Sequence, residues 1–428
     1  MSDEKLHRGI SRRDLIAIVI NTVIGAGIFG LPSKVAALIG SYSIIAFLFC
    51  SVIIAFVVLC FAEVSSRFRT TGGAYAYTRH AFGAFAGFEV GWLFWITRIT
   101  AFAANCNLMI NYLGFFYQPV TIGALRVVLI TAIVLGLMWV NLAGIRDSTM
   151  FTNVLTIGKL APLFLFIAVG IFFIDPGNFS FDQTPQASAF SSAILTLIYA
   201  FVGFESAVVP AGEMKDPEKN VPFALMTAIG IIVAIYILVQ IVSIGTLPEL
   251  ANSERPLADA AKTFLGEWGA TFIVIGALIS ILGNLNVGLL AKTRLLYAMA
   301  ENRDIPQFLA NTSIKFKTPH FAIIITAFAV YVFTLFSTFL SAVTFSTLTR
   351  LIVYGMTCIA LPVFRYRKDA PPAGFTAPAG LLAAAISVAL LLWLLLSVDY
   401  KEFVQLLIAV VLGVLVFLGT KAVTSKAE

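Results

Sequence analysis

Asn21-Thr22-Val23-Ile24-Gly25-Ala26-Gly27-Ile28-Phe29-Gly30 sits in the middle of an apolar stretch that runs from Leu15 to Leu38. A helix in hydrocarbon keeps its backbone groups bonded internally, because lipid offers no partners. Glycines clustered at mid-depth therefore point to unwound backbone, tolerated only where it is buried in protein or faces a cavity. A second apolar stretch, Ala189 to Pro210, is interrupted in the same way by Tyr199-Ala200-Phe201-Val202-Gly203-Phe204-Glu205-Ser206. One break alone is compatible with ordinary packing, since glycine is common in membrane helices. Two breaks, with four more apolar spans between them, form the pattern of a transporter built from inverted repeats.

Composition sets the class. The chain has 428 residues, 60% hydrophobic and only 12% charged, against roughly twice that charged fraction in an average soluble protein. It reads as an all-α polytopic membrane protein. The polar opening, MSDEKLHRGISRR, is followed by no short apolar stretch with a small-residue cleavage site, so no cleaved signal peptide is expected. Cys50, Cys60, Cys106 and Cys358 all fall inside apolar spans and read as small packing residues, neither disulfide framework nor metal cluster. The net charge of +6 is spread over loops and gives no nucleic-acid signature.

A membrane span needs about 20 apolar residues. Twelve are expected, near 14–39, 43–65, 84–117, 121–142, 150–174, 188–210, 223–246, 267–298, 320–338, 340–364, 377–397 and 402–421. Most of the 28 Lys and Arg then fall on one side, among them Arg12, Arg67, Arg79, Lys215, Arg303, Lys315, Arg365 and Arg367. Lys34, Arg126, Arg255, Lys262 and Lys401 fall on the other. The positive-inside rule places both termini in the cytoplasm. Residues 1–13 form an N-terminal tail, 14–174 a first five-helix repeat, 188–365 a second repeat of opposite orientation, 377–422 two further helices, and 423–428 a short tail. The first cytoplasmic loop carries Thr71-Gly72-Gly73-Ala74-Tyr75-Ala76-Tyr77, whose aromatics suggest a segment at the membrane interface.

Thr22-Val23-Ile24-Gly25-Ala26-Gly27-Ile28-Phe29-Gly30-Leu31-Pro32 resembles the first-helix signature of the amino acid–polyamine–organocation superfamily. Phe201-Val202-Gly203-Phe204-Glu205-Ser206, with Ala211-Gly212-Glu213-Met214-Lys215-Asp216-Pro217 after it, is similar to the sixth helix and following loop. Arg294 to Ala300, ending at Ile305-Pro306, resembles the loop after the eighth helix, and Thr318-Pro319-His320 the entry to the ninth. The motifs follow one another in the family's order over nearly the whole chain. The resemblance implies a LeuT-like 5+5 inverted repeat with broken helices 1 and 6. It further implies alternating access, and amino acids or related amines as cargo.

The break in span 1 should expose the amides of Ala26, Gly27 and Ile28, flanked by Ile24 and Gly25. The half-helix that follows points its positive end at them, which suits a carboxylate. At the second break the carbonyls of Tyr199, Phe201 and Val202 lose helical partners and suit an ammonium. The resemblance places the two ends of an amino acid at these positions, beside Phe204. If its alignment holds, Gly288 in span 8 replaces a tryptophan that an arginine–agmatine exchanger carries beside its substrate, which weakens that cargo and leaves space.

Few charges lie at mid-membrane, and each is a functional candidate. Lys159 lies roughly ten residues into span 5, about 15 Å at helical rise. Burial disfavours a charged amine, which suits a proton carrier; the resemblance puts a lysine of proton-coupled relatives at this place. A fixed structural cation bonded to carbonyls of span 1 is the competing reading. Glu205 is expected to close the second break or act as a gate, and Arg98 and Arg350 are read first as structural. Glu63 and Glu89 read as inner-gate or loop-anchoring residues.

The sequence thus favours a secondary amino acid transporter of a bacterial inner membrane, proton-coupled, partial to neutral cargo and without cofactor. An exchanger of amino acids, amines or polyamines, and an acidic amino acid transporter using Arg98, are the alternatives. An intramembrane enzyme lacks a paired His/Asp/Glu or Ser/Lys set, and a channel leaves the two breaks unexplained.

Overall fold

A computed structural model describes residues 12–68, 73–143, 149–207, 216–313 and 318–427. Among them every regular element is helical. The first apolar stretch forms α1 (Arg12–Val23) and α2 (Ala26–Ile39), separated by Ile24 and Gly25, and is followed by α3 (Ser43–Ser65). Next come α4 (Gly73–Phe82), α5 (Ala84–Leu113), α6 (Gly123–Leu142) and α7 (Thr149–Gly170). The second apolar stretch forms α8 (Ala187–Ile198), a 3₁₀ turn over Tyr199–Phe201, and α9 (Phe204–Ala207). The remaining helices are α10 (Pro217–Thr246), α11 (Pro256–Glu301), α12 (His320–Phe336), α13 (Phe339–Tyr366), α14 (Gly380–Leu396) and α15 (Tyr400–Ala427).

Seven of the described helical segments are long and apolar enough to cross a membrane, with four shorter apolar helices beside them. Only 17% of the apolar window of α6 and 22% of that of α15 is buried inside the molecule. Helices apolar on their outer faces would aggregate in water and are stable in lipid. The protein is an integral membrane protein.

α5 stands at the centre, packed against α4, α11, α12 and α13. α10 runs between α1 and α3, α2 lies on α8, and α1 lies on α9. Several boundaries differ from the sequence reading: the third span ends at Leu113 instead of 117, and the seventh starts at Pro217 instead of 223. The eighth, expected from 267, begins where α11 resumes after non-helical backbone at Gly266, with a further helical stretch from Pro256 ahead of it.

The aromatics of the segment between α3 and α5 turn inward. Tyr75 and Tyr77 belong to α4 and are 3% and 1% exposed, tucked against α5 and α13. Tyr75 donates to Asp304 Oδ2 at 2.7 Å, and Arg79 pairs with the same carboxylate, tying α4 to the end of α11. Glu63 forms a second hub. It accepts from Arg365 Nε at 2.8 Å, Arg67 Nη2 at 3.1 Å and the Ala377 amide at 2.9 Å, joining α3, α13 and the segment before α14. Glu89, by contrast, accepts no hydrogen bond among the described residues.

Candidate functional site

The two breaks meet backbone to backbone. A Cβ on Gly27 would stand 2.7 Å from Ala200 Cα, and a Cβ on Gly203 would stand 2.4 Å from Thr22 O. Each break therefore supplies the glycine that lets the other approach. Gly203 has φ +126°, a conformation that only glycine adopts without strain. Gly25 serves a third contact, since a Cβ there would collide with Asn284 Nδ2 of α11 at 1.9 Å.

At the first break, Gly25 caps α2 with extended backbone and supplies no side-chain acceptor. The first amides of a helix have no intrahelical acceptor, so those of Ala26, Gly27 and Ile28 carry the positive end of α2. Lys159 reaches over from α7. Its Nζ donates to Asn21 O at 2.6 Å and Ile24 O at 3.2 Å, and the residue is 2% exposed. The amine thus replaces helical donors that the break removes.

At the second break, Tyr199 O accepts the Val202 amide at 3.3 Å, and Val202 is extended (φ −70°, ψ 139°). Glu205 closes the break: Oε2 accepts the Gly203 amide at 3.0 Å and the Tyr354 hydroxyl at 3.1 Å. Arg350 Nη1 stands 3.4 Å from Glu205 Oε1, with both residues essentially inaccessible. The Tyr199 hydroxyl accepts from Asn105 Nδ2 at 3.0 Å and donates to Ala101 O at 3.2 Å, fixing it to α5.

The side chains that flank the second break divide. Phe201 is 0% exposed and lies against Tyr236, while Phe204 lies between Phe61 and Tyr354. Both rings fill the core. Val202 keeps partial exposure. Arg98 stacks over the Phe94 ring at 4.5 Å and, with Ala101 and Asn105, forms a partly exposed stripe on α5 toward the second break. Gly288 lies within α11, where its side-chain surroundings are outside the described residues; so are residues 211–215.

Tyr236 escaped sequence reading. Its hydroxyl, on α10, lies 2.9 Å from Ala200 O and 3.3 Å from Val23 O, one donor shared by the two breaks. A tyrosine in an otherwise apolar run (Ile235-Tyr236-Ile237-Leu238) was the available signal, because a buried hydroxyl needs a partner. Tyr236→Phe should orphan both carbonyls, at a cost of about 1–3 kcal/mol. A lowered thermal midpoint in detergent is expected; an unchanged midpoint would show that the bridge carries no weight.

An amino acid permease profile matches residues 10–417. The methylthioribose transporter of Bacillus subtilis is 28% identical, with 97% of this chain and 93% of that protein aligned. The arginine/ornithine antiporter of Pseudomonas aeruginosa is 28% identical over 98% of this chain and 92% of its own. The serine/threonine exchanger of Bacillus subtilis is 30% identical over 75% of each. Cargo differs widely among these relatives, while the carrier function is common to them. On this geometry and this match, the chain belongs to the amino acid permease family.

Proposed function

We propose that this protein is a secondary active transporter that moves amino acids across a bacterial inner membrane by alternating access, coupled to protons. The observation that carries the reading is the contact of two broken helices through their glycines, Gly27 on Ala200 and Gly203 on Thr22. Unwound backbone at mid-depth costs hydrogen bonds unless something uses it. A zwitterion does so, its carboxylate on the amides of Ala26 to Ile28 and its ammonium on carbonyls of the second break.

A glycine-bearing break near the start of each half supports twelve spans arranged as two inverted repeats, 14–174 and 188–365, with 377–422 outside them. Arg67, Arg79, Arg365 and Arg367 gather with Glu63 and Asp304 on one face, which fits a cytoplasmic side and cytoplasmic termini. A cavity of about 580 Å³ opens beside Lys34, Arg126 and Glu254, the opposite face in this arrangement.

Lys159 is the proton carrier in this reading, since it binds the first break directly. The sequence preference for neutral cargo leaned on Tyr199, Phe201, Val202 and Phe204. With Phe201 and Phe204 filling the core, side-chain selection falls to other residues.

Uptake of a radiolabelled amino acid panel into proteoliposomes tests the whole. Accumulation under an inward-directed proton gradient, abolished by collapsing it, is expected. Uptake that requires a preloaded amino acid and ignores pH would make the protein an exchanger. Absence of both would remove the transporter reading.

A further inference from the structure

The cavity of about 580 Å³ beside Lys34, Arg126 and Glu254 has the size of a small-molecule site, roughly 300–1,000 Å³. Its cations are engaged in different ways. Arg126 is fixed in the wall: Nη2 donates to Asn107 Oδ1 at 2.7 Å and to Ser337 O at 3.3 Å, which ties α6 to α5 and to the corner between α12 and α13. Lys34 and Glu254 hold each other, Nζ to Oε1 at 2.7 Å, and Asn111 Nδ2 donates to Glu254 Oε2 at 3.1 Å. The pair joins α2 to the segment that leads into α11, and Asn111 adds α5. The Glu254 side chain is 61% exposed, so solutes in the cavity reach it.

The cavity ends close to the first break. Phe339 lines it, and the tip of that ring, Cζ, would stand 2.7 Å from a Cβ on Gly30. Gly30 lies three residues beyond Gly27, about 4.5 Å along α2 at helical rise. One phenyl ring thus spans from the cavity to the half-helix whose first amides form the break. Moving α2 off Phe339 widens that passage, and the Lys34–Glu254 pair resists the movement.

An exposed ion pair contributes little by itself, so this one holds α2 without locking it. Its charges are also those that an α-amino acid needs, an ammonium for its carboxylate and a carboxylate for its ammonium. A ligand that meets both leaves no charge unpaired. It favours the released arrangement, because only there are both partners free to bind it.

We propose that this cavity is a second amino acid site, an antechamber in which Lys34 and Glu254 exchange their mutual ion pair for the carboxylate and ammonium of an arriving zwitterion, freeing α2. The inference rests on the reading of the two breaks as a transport site for amino acids, and adds a site occupied before them.

Leu340, in the cavity wall and 42% exposed, gives a reporter position, since Cys50, Cys60, Cys106 and Cys358 are all buried. Full-length Leu340→Cys protein in proteoliposomes is labelled with a membrane-impermeant maleimide, against rising alanine, propionate or ethylamine. The antechamber reads only the two charges, so alanine should slow labelling. Propionate lacks the ammonium and ethylamine the carboxylate, and each should need roughly fivefold more or beyond, the upper end for one exposed ion pair. Lys34→Glu and Glu254→Lys should each abolish the protection by alanine, and the double exchange should restore it. The comparison of the three ligands needs neither variant, so misfolding of a single exchange leaves the test intact. Propionate or ethylamine protecting as well as alanine would overturn zwitterion recognition. Protection unchanged in a folded Lys34→Glu protein would place the ligand elsewhere and overturn the site. Amino acid uptake without any protection by alanine would remove the antechamber and keep the transporter. Protection that follows the charge exchange, without uptake of any amino acid, would keep the site and remove the transport reading.

Discussion

Gly27→Val should abolish substrate binding while the protein still inserts into the membrane. Two effects act together. A branched side chain would screen the amides of Ala26 to Ile28 from a carboxylate, as the sequence already suggests. The structure adds the larger one: Ala200 Cα lies 2.7 Å from where the Cβ must go. That contact is backbone, which does not swing aside, so α2 must move away from the second break. Overpacking of this kind costs typically about 1–3 kcal/mol, enough to displace the site without unfolding a large helical protein. Gly203→Ala is the complementary experiment, with strain at φ +126° added to a 2.4 Å approach to Thr22 O. Equal loss of binding in both variants, with normal membrane yield and gel-filtration profile, would show that the contact between the breaks makes the site. Wild-type affinity in a well-folded Gly27→Val protein would remove the central claim.

Glycine is the reason the breaks could be read from sequence at all. Gly25, Gly27 and Gly203 each stand where a Cβ would collide, and no other residue reports a close backbone approach so directly. Lys159 was legible for a related reason, because a charge in an apolar run must find oxygen. The partners were not. Which carbonyls Lys159 meets depends on how α7 crosses α1, and nothing in either segment encodes that crossing. Phe201 and Phe204 show a second limit. Both flank the break in sequence, yet the 3₁₀ turn over Tyr199–Phe201 rotates successive side chains by a third of a turn. Tyr199 therefore reaches α5 while Phe201 faces Tyr236. Tyr236 and Tyr354 were not singled out in the sequence, and only the fold shows that their hydroxyls meet the two breaks. The fold itself was more legible than the site, since apolar run length fixes helices and leaves side-chain direction open.

Lys159→Ala should eliminate accumulation driven by a pH gradient, and Lys159→Arg separates the two tasks the lysine combines. Its Nζ donates to Asn21 O and Ile24 O, so the amine is both a clamp on the first break and a titratable group in direct contact with it. Alanine removes both functions. The two carbonyls lose charge-assisted bonds worth about 1.5–3 kcal/mol each before relaxation and water recover part of it, so binding should weaken as well. Arginine keeps a cation able to meet the same carbonyls but holds its proton permanently. A proton carrier at this position therefore predicts that Lys159→Arg binds substrate, and exchanges it across the membrane, yet no longer concentrates it when the pH differs on the two sides. A purely structural cation predicts the opposite: Lys159→Arg keeps pH-driven accumulation, and only Lys159→Ala is impaired, through affinity alone. Counterflow and pH-jump uptake in the same proteoliposomes read the two functions separately. Concentrative uptake that still follows the pH gradient in Lys159→Arg or Lys159→Ala would leave Lys159 as a clamp, and the proton would have to travel on another group. Loss confined to the pH-driven mode would tie the proton to an amine that touches the unwound backbone, so that release of the proton and loosening of the first break become a single event.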